Sequence, residues 1–140
     1  MPYQSPFNAI ANTIGAERSL FGITDTESVD GPTALKAVGQ FSMNAGNFGS
    51  STTFRFSSTF QVSDAALTGT VTLYNLTDAE VVASFTTSAT SPQNQVALLT
   101  VGAAAGNLKI SPKIYEIRMS VTGGGPTDLL NVGSAMLVVN

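Results

Sequence analysis

The sequence predicts an all-β protein, a two-sheet antiparallel sandwich of the jelly-roll kind with about eight strands and a short N-terminal helix or arm. Apolar and polar residues alternate in several segments, and clusters of Gly, Pro, Asn, Asp and Ser separate these segments at short intervals. No apolar run approaches the length of a membrane span. The 140 residues suit one domain, which we expect over residues 17–140, preceded by an arm of residues 1–16.

The alternation is clearest in residues 54–62 and 113–121. Even-numbered positions of the first segment and odd-numbered positions of the second are mostly large and apolar, whereas the residues between them are mostly polar. This period of two is typical of a strand with one buried and one exposed face. We therefore expect one core that contains Phe54, Phe56, Phe60, Tyr115, Ile117 and Met119.

Residues 35–43 alternate in the same way, and Gly39 within them predicts a bulge. Turn-forming residues stand on either side of most of these segments and indicate short connections. The remaining strands are predicted at Leu20–Thr24, Gly69–Leu76, Val81–Thr86, Gln95–Val101 and Val132–Val139.

The N-terminal segment has a different pattern. Ser5 and Pro6 are typical of a helix start, and Phe7, Ile10 and Ile14 recur at helical spacing, which predicts a short helix from about Pro6 to Ile14. A helix of this length is marginal in isolation, so it needs a surface to dock on. We expect these three apolar side chains to bind a neighbouring chain, and the alternative is that they cover an open end of their own sandwich.

Composition excludes several kinds of site. The chain has no cysteine and no histidine, which removes disulfides, thiolate metal sites and the most common general base. Its six basic residues are scattered and its net charge is −3, so we expect no nucleic-acid partner. The first residues lack the pattern of a signal peptide, and we expect a soluble protein made in a cytoplasm without a membrane partner.

An acidic group, Asp25, Glu27 and Asp30, precedes Gly31 and could offer carboxylate oxygens to a hard cation such as calcium. The spacing of a known calcium loop is absent, and a solvated loop at a strand end is the favoured interpretation. We therefore expect neither a metal nor another cofactor.

Paired carboxylates could perform glycoside hydrolysis, and Asp64, Asp78 and Glu80 are the candidates. Asp78 lies in a segment typical of a hairpin turn, where an Asp side chain binds nearby backbone amides, and turn chemistry is favoured. No Ser-x-x-Lys motif offers a serine nucleophile with a lysine base. The sequence therefore predicts a protein that is not an enzyme.

Two charged residues, Glu116 and Arg118, lie two positions apart on the outward side of a predicted strand. A cross-strand ion pair is the simpler interpretation, worth about 0.2–1 kcal/mol. A partner-binding role is the alternative, because arginine is enriched in protein interfaces.

Three segments resemble the strands of small jelly-roll modules in structural proteins of tailed bacteriophages: Gly69–Asp78, Lys113–Arg118 and Gly133–Val139. The resemblance extends over about Thr52 to Asn140. It implies a virion protein without catalytic residues, foremost a capsid decoration (cement) protein that binds the major capsid protein or other virion proteins. It also implies a homo-oligomer, with a trimer expected. A carbohydrate- or receptor-binding module of a phage tail is the alternative. Sugar-binding faces usually need exposed aromatic rings, and only Tyr3 and Tyr74 are good candidates here, which weakens this alternative.

Overall fold

A computed structural model describes residues 18–23, 27–30, 35–123 and 127–140. The predicted N-terminal helix and arm lie outside these residues, as do Phe7, Ile10 and Ile14. Nine strands are present in the described parts of the chain, together with a short 3-10 turn at Ala45–Asn47. The strands are β1 (Arg18–Ile23), β2 (Glu27–Asp30), β3 (Leu35–Met43), β4 (Phe54–Val62), β5 (Thr68–Asn75), β6 (Glu80–Thr87), β7 (Gln93–Leu99), β8 (Lys113–Thr122) and β9 (Leu129–Val139).

The strands form two antiparallel sheets. One sheet has the order β1-β9-β4-β7, with β2 also paired to β9, and the other has the order β3-β8-β5-β6. Strands β1 and β2 pair with opposite ends of β9 and together fill one edge position. When they are counted as one interrupted strand, the eight strands alternate between the sheets except at the β5–β6 hairpin, which is the jelly-roll arrangement. The predicted fold class is therefore confirmed.

The core lies between the two sheets, where the inward faces of all four central strands meet. The predicted core residues are all confirmed, each with at most 2% of its surface exposed. Phe56 of β4 stacks on Phe85 of β6 with ring centroids 5.4 Å apart, which joins the two sheets across the core. Burying a side chain of this size stabilises the fold by roughly 1.5–3 kcal/mol.

Close packing of the sheets also explains one glycine. A Cβ atom on Gly69 of β5 would come within 2.6 Å of Leu130 and 2.9 Å of Val62, both on the opposite sheet. A side chain at this position would require Leu130 and Val62 to shift within the core, which favours glycine.

Local irregularities occur where the sequence indicated one and where it did not. The register between β3 and β8 shifts between Ala37 and Gly39, which confirms the predicted bulge.

The acidic group was expected in a loop, but Glu27–Asp30 forms β2 and pairs with Leu129–Val132 of β9. That loop interpretation is wrong for Glu27 and Asp30, because pairing with a long neighbouring strand overrides the weak strand preference of acidic residues.

Candidate partner-binding surfaces

The predicted partner-binding residues Glu116 and Arg118 lie in the middle of the outer face of the four-stranded sheet. Glu116 on β8 stands opposite Gln40 of β3 on one side and Tyr74 of β5 on the other. Arg118 stands opposite Ala37 of β3 and Thr72 of β5, so both charged side chains have a neighbour on each side. Glu116 is consequently only 8% exposed, although its parity turns it away from the core.

The two charged groups bind each other and their neighbours. Arg118 Nε donates to Glu116 Oε2 at 2.7 Å, and Gln40 Nε2 donates to Glu116 Oε1 at 2.9 Å. The guanidinium carbon of Arg118 lies 3.6 Å from the centroid of the Tyr74 ring. The expected cross-strand ion pair is thus a pair within one strand, and the Tyr74 ring is half-buried beneath an arginine rather than open to solvent.

Gln40, Tyr74, Glu116 and Arg118 form one polar cluster on this face, joined by hydrogen bonds and a cation–π contact and called the plate below. Each charged group has a partner within hydrogen-bond distance, so the plate carries no uncompensated charge. A partly buried Arg–carboxylate pair held by several neighbours is ordered before a partner arrives, which reduces the entropy cost of binding. The plate suits a flat contact with another protein better than the capture of a charged small molecule.

A second cluster of charges fixes the segment between β7 and β8. Lys109 is 7% exposed, and its Nζ lies 3.0 Å from Glu80 Oε2 and donates to the carbonyl of Ala104 at 2.7 Å. Its backbone N–H donates to the buried hydroxyl of Tyr115 at 3.0 Å, while Gly106 N–H donates to Glu80. These bonds hold the segment against the start of β6.

The neighbouring turn between β5 and β6 is organised by Asp78. Its Oδ1 accepts from Lys113 Nζ at 2.7 Å, and its other oxygen accepts from Asn75, whose own Oδ1 accepts from the Asp78 N–H. Asp78 lies in the predicted turn, but its carboxylate binds the side chains of Asn75 and Lys113 rather than backbone amides, and Asn75 binds the backbone N–H of the turn instead. The hydrogen bond from Lys113 lowers the pKa of the Asp78 carboxyl, and the hydrogen bond from Lys109 lowers the pKa of the Glu80 carboxyl.

The three carboxylates considered for hydrolysis all have structural partners. Asp64 Oδ1 accepts from the backbone N–H of Ala66 in the turn after β4, while Asp78 and Glu80 pair with lysines. A catalytic acid needs a raised pKa, and the shifts of Asp78 and Glu80 run in the opposite direction. Within the described residues, no group of three or more acidic side chains is placed to hold a metal ion. Asp25, the first of the acidic group, lies outside those residues.

An exposed apolar stripe on the outer face of the five-stranded sheet was not predicted. Val96 and Leu98 of β7 form this stripe and are 54% and 69% exposed. The half-buried Met136 and Val138 of β9 stand in the same rows but are separated from the stripe by Ser57 and Arg55 of β4. The β7 segment was predicted as a strand, but its apolar residues occupy consecutive positions 96–99, so parity alone does not show which of them face out. The pairing with β4 settles it, because Ala97 and Leu99 pack on the core.

No helix in the described parts of the chain is long and apolar enough to cross a membrane. No protein-family model matches the sequence, and no curated protein matches it.

Solved structures do match the fold, and two of them come from infectious bursal disease virus. A chain of the T13 viral particle superposes with a TM-score of 0.54 and 14% identity over 88% of this chain and 31% of the viral one. A chain from the Gt strain gives a TM-score of 0.51 and 13% identity over 89% of this chain and 33% of the other. The present chain thus spans about a third of the length of each viral chain. At this identity the likeness establishes a shared jelly-roll fold.

Proposed function

We propose that this protein is a non-enzymatic structural component of a virion, and that it decorates the capsid surface by binding the major capsid protein or another virion protein. The observation that carries the proposal is the jelly-roll order of the two sheets, which is matched in chains of a viral particle. Jelly rolls recur in viral capsid proteins, although the same fold also serves lectins and enzymes. The resemblance to tailed-phage modules makes a phage particle the proposed setting.

The chemistry of the described surface supports a packing role. Its central charges form neutralised pairs, and its exposed strand faces are rich in Ser, Thr, Asn and Gln. Such a surface neither repels further copies strongly nor concentrates a charged substrate. We propose a homo-oligomer, with a trimer on the particle, in which Phe7, Ile10 and Ile14 bind a neighbouring chain and the plate around Glu116 and Arg118 contributes a flat contact.

The proposed decoration role is tested by removing the protein from particles and adding it back. Particles that lack it should release their contents at a lower temperature than complete particles, and purified protein should restore the original temperature. Heat-denatured protein is the control for non-specific effects. If stripped and complete particles have the same thermal stability and the protein does not rebind, the proposal fails.

A carbohydrate-binding tail module is the second candidate, and one depression bears on it. Thr59, Gln61 and Asn131 line an uncharged groove on the outer face of the five-stranded sheet, and their hydroxyl and amide groups could bind sugar hydroxyls. Among residues 35–123 and 127–140, no aromatic side chain is more than partly exposed, which leaves little ring surface to stack on a sugar. Binding to a glycan array that disappears in Asn131→Ala would favour this candidate over decoration.

A further inference from the structure

Strand β7 is an open edge of the five-stranded sheet. It pairs with β4 on one side, and no other strand of the described residues pairs with its opposite side. We propose that this edge pairs with β7 of a second copy of the chain, so that two five-stranded sheets join into one continuous sheet. The contact goes beyond the proposed function and does not depend on it.

The other edge strands carry features that discourage such pairing, and β7 carries none. An exposed edge is normally protected by charge, by proline or by a bulge. The sequence of β7, Gln-Asn-Gln-Val-Ala-Leu-Leu, is uncharged and free of proline, and its seven pairs with β4 show no shift in register. By contrast, β1, β3 and β6 each contain a charged residue and a register shift, and β2 contains Glu27 and Asp30.

The hydrogen-bond pattern shows which groups of β7 are open. Thr53 and Asn140 exchange both backbone bonds, so Thr53 faces β9 and the next residue, Phe54, faces β7. Phe54 pairs with Leu99, so Leu99 bonds to β4. Every second residue of β7 does the same, namely Leu99, Ala97, Gln95 and Gln93. The N–H and C=O groups of Asn94, Val96 and Leu98 therefore point to the free edge.

The free edge has a defined end. After Leu98, the next residue whose backbone groups point to the free edge is Thr100. Its carbonyl already accepts from Leu108 N–H at 2.9 Å, in the segment between β7 and β8. The open stretch is thus limited to Asn94, Val96 and Leu98. An antiparallel second copy satisfies all these groups in one register, with Val96 opposite Val96 and Asn94 opposite Leu98.

This register relates the copies by a two-fold axis, as an isologous contact requires. It also brings the exposed Val96 side chains of both copies together beside Leu98. A single strand pair buries less surface than a typical stable interface, so the contact is weak for free protein and gains strength where many copies are held close together.

Cysteine cross-linking tests the register, because the chain has no cysteine of its own. Opposed residues of a hydrogen-bonded antiparallel pair have Cα atoms about 5.5 Å apart, but their Cβ atoms stand wider apart than a disulfide favours, so a short bifunctional thiol reagent is used instead of direct oxidation. We expect this reagent to join two chains of Val96→Cys covalently. The matched control is Val81→Cys, because Val81 lies on edge strand β6 and is 52% exposed, against 54% for Val96.

Charge repulsion provides a second test. Val96→Lys places two like charges directly opposite each other and should weaken the two-fold association step, in which the sedimenting species doubles in mass, by about fivefold in sedimentation equilibrium. Val81→Lys should leave association unchanged. The proposal is overturned if Val96→Cys fails to cross-link, if Val81→Cys cross-links equally well, or if Val96→Lys associates as strongly as the unmodified chain.

Discussion

The fate of individual side chains in this protein is set by the neighbours on adjacent strands as much as by their own parity. Alternation correctly assigned Phe54, Phe56 and Tyr115 to the core. Alternation also predicted that Glu116 points away from the core, which is correct. Its carboxylate is nevertheless buried, because Gln40 and Arg118 cover it. Neighbours of this kind come from strand order, which a single sequence does not specify.

Phe56 provides the most direct test of the core. Its side chain is fully buried and stacks on Phe85. We expect Phe56→Ala to lower the free energy of unfolding by about 3–5 kcal/mol, because the truncation leaves a cavity between the sheets. Chemical denaturation measures the change, and Leu98→Ala is the control, since Leu98 is 69% exposed. A loss below about 1 kcal/mol for Phe56→Ala would contradict the described core.

Ala79 has an unfavourable backbone conformation. Its φ angle is 56°, in the left-handed region that costs a residue with a side chain about 1–2 kcal/mol. Glycine removes this cost, but it also raises the conformational entropy of the unfolded chain, which lowers the free energy of unfolding by about 0.4–1 kcal/mol. We expect Ala79→Gly to raise the unfolding free energy slightly, whereas Ala66→Gly, in a turn without positive φ, should lower it. Equal destabilisation by both substitutions in denaturant titrations would rule out the strain at Ala79.

At the scale of elements, all eight predicted strands are confirmed in the described residues, usually within one or two residues of their observed bounds. The missed strand is β2, whose four residues are short, charged at both ends and without visible alternation. It forms because Leu129–Val132 offers it a partner. The order of strands within each sheet was also beyond prediction, because it depends on contacts between segments far apart in the chain.

The Asp78–Lys113 and Glu80–Lys109 pairs predict a dependence of stability on pH. Both carboxyl groups have a lower pKa in the folded chain, so they stabilise the fold above their unfolded pKa values, about 4. This contribution disappears as the pH falls through the folded-state pKa values. We expect the Asp78→Asn, Glu80→Gln double variant to melt at a lower temperature at pH 7 and to lose less stability between pH 5 and pH 3.

Melting curves of the unmodified and double-variant chains across this pH range check the prediction. Asp64→Asn is a suitable control, because Asp64 accepts a backbone N–H of its own turn and pairs with neither lysine. Parallel loss of stability in the unmodified chain and the double variant would show that the two ion pairs do not contribute.

At the scale of the whole molecule, the jelly roll provides two broad outer faces of different character. One has the neutralised plate around Glu116 and Arg118, and the other has the apolar stripe of Val96 and Leu98. The fold class followed from alternation and turn spacing, whereas these two faces required the paired register of the strands. Clear alternation in β8 predicted that Glu116 and Arg118 face outward, whereas the unbroken apolar run at positions 96–99 did not show that Val96 and Leu98 do.

The proposed role of the N-terminal arm is tested by deleting residues 2–15. If Phe7, Ile10 and Ile14 bind a neighbouring chain, the shortened protein should keep nearly the same melting temperature but bind particles poorly. Burial of these three side chains in a partner would contribute about 1.5–3 kcal/mol each before the cost of ordering. A much lower melting temperature would indicate that the segment packs on its own sandwich, and unchanged particle binding would exclude the proposed contact.

Quantitative mass spectrometry of purified particles decides the claim that the protein is a structural part of a virion. The proposed role predicts that the chain is present at a fixed ratio to the major capsid protein, and that this ratio persists through repeated density-gradient purification. Its absence from purified particles, or a ratio that falls with every purification step, would contradict the claim.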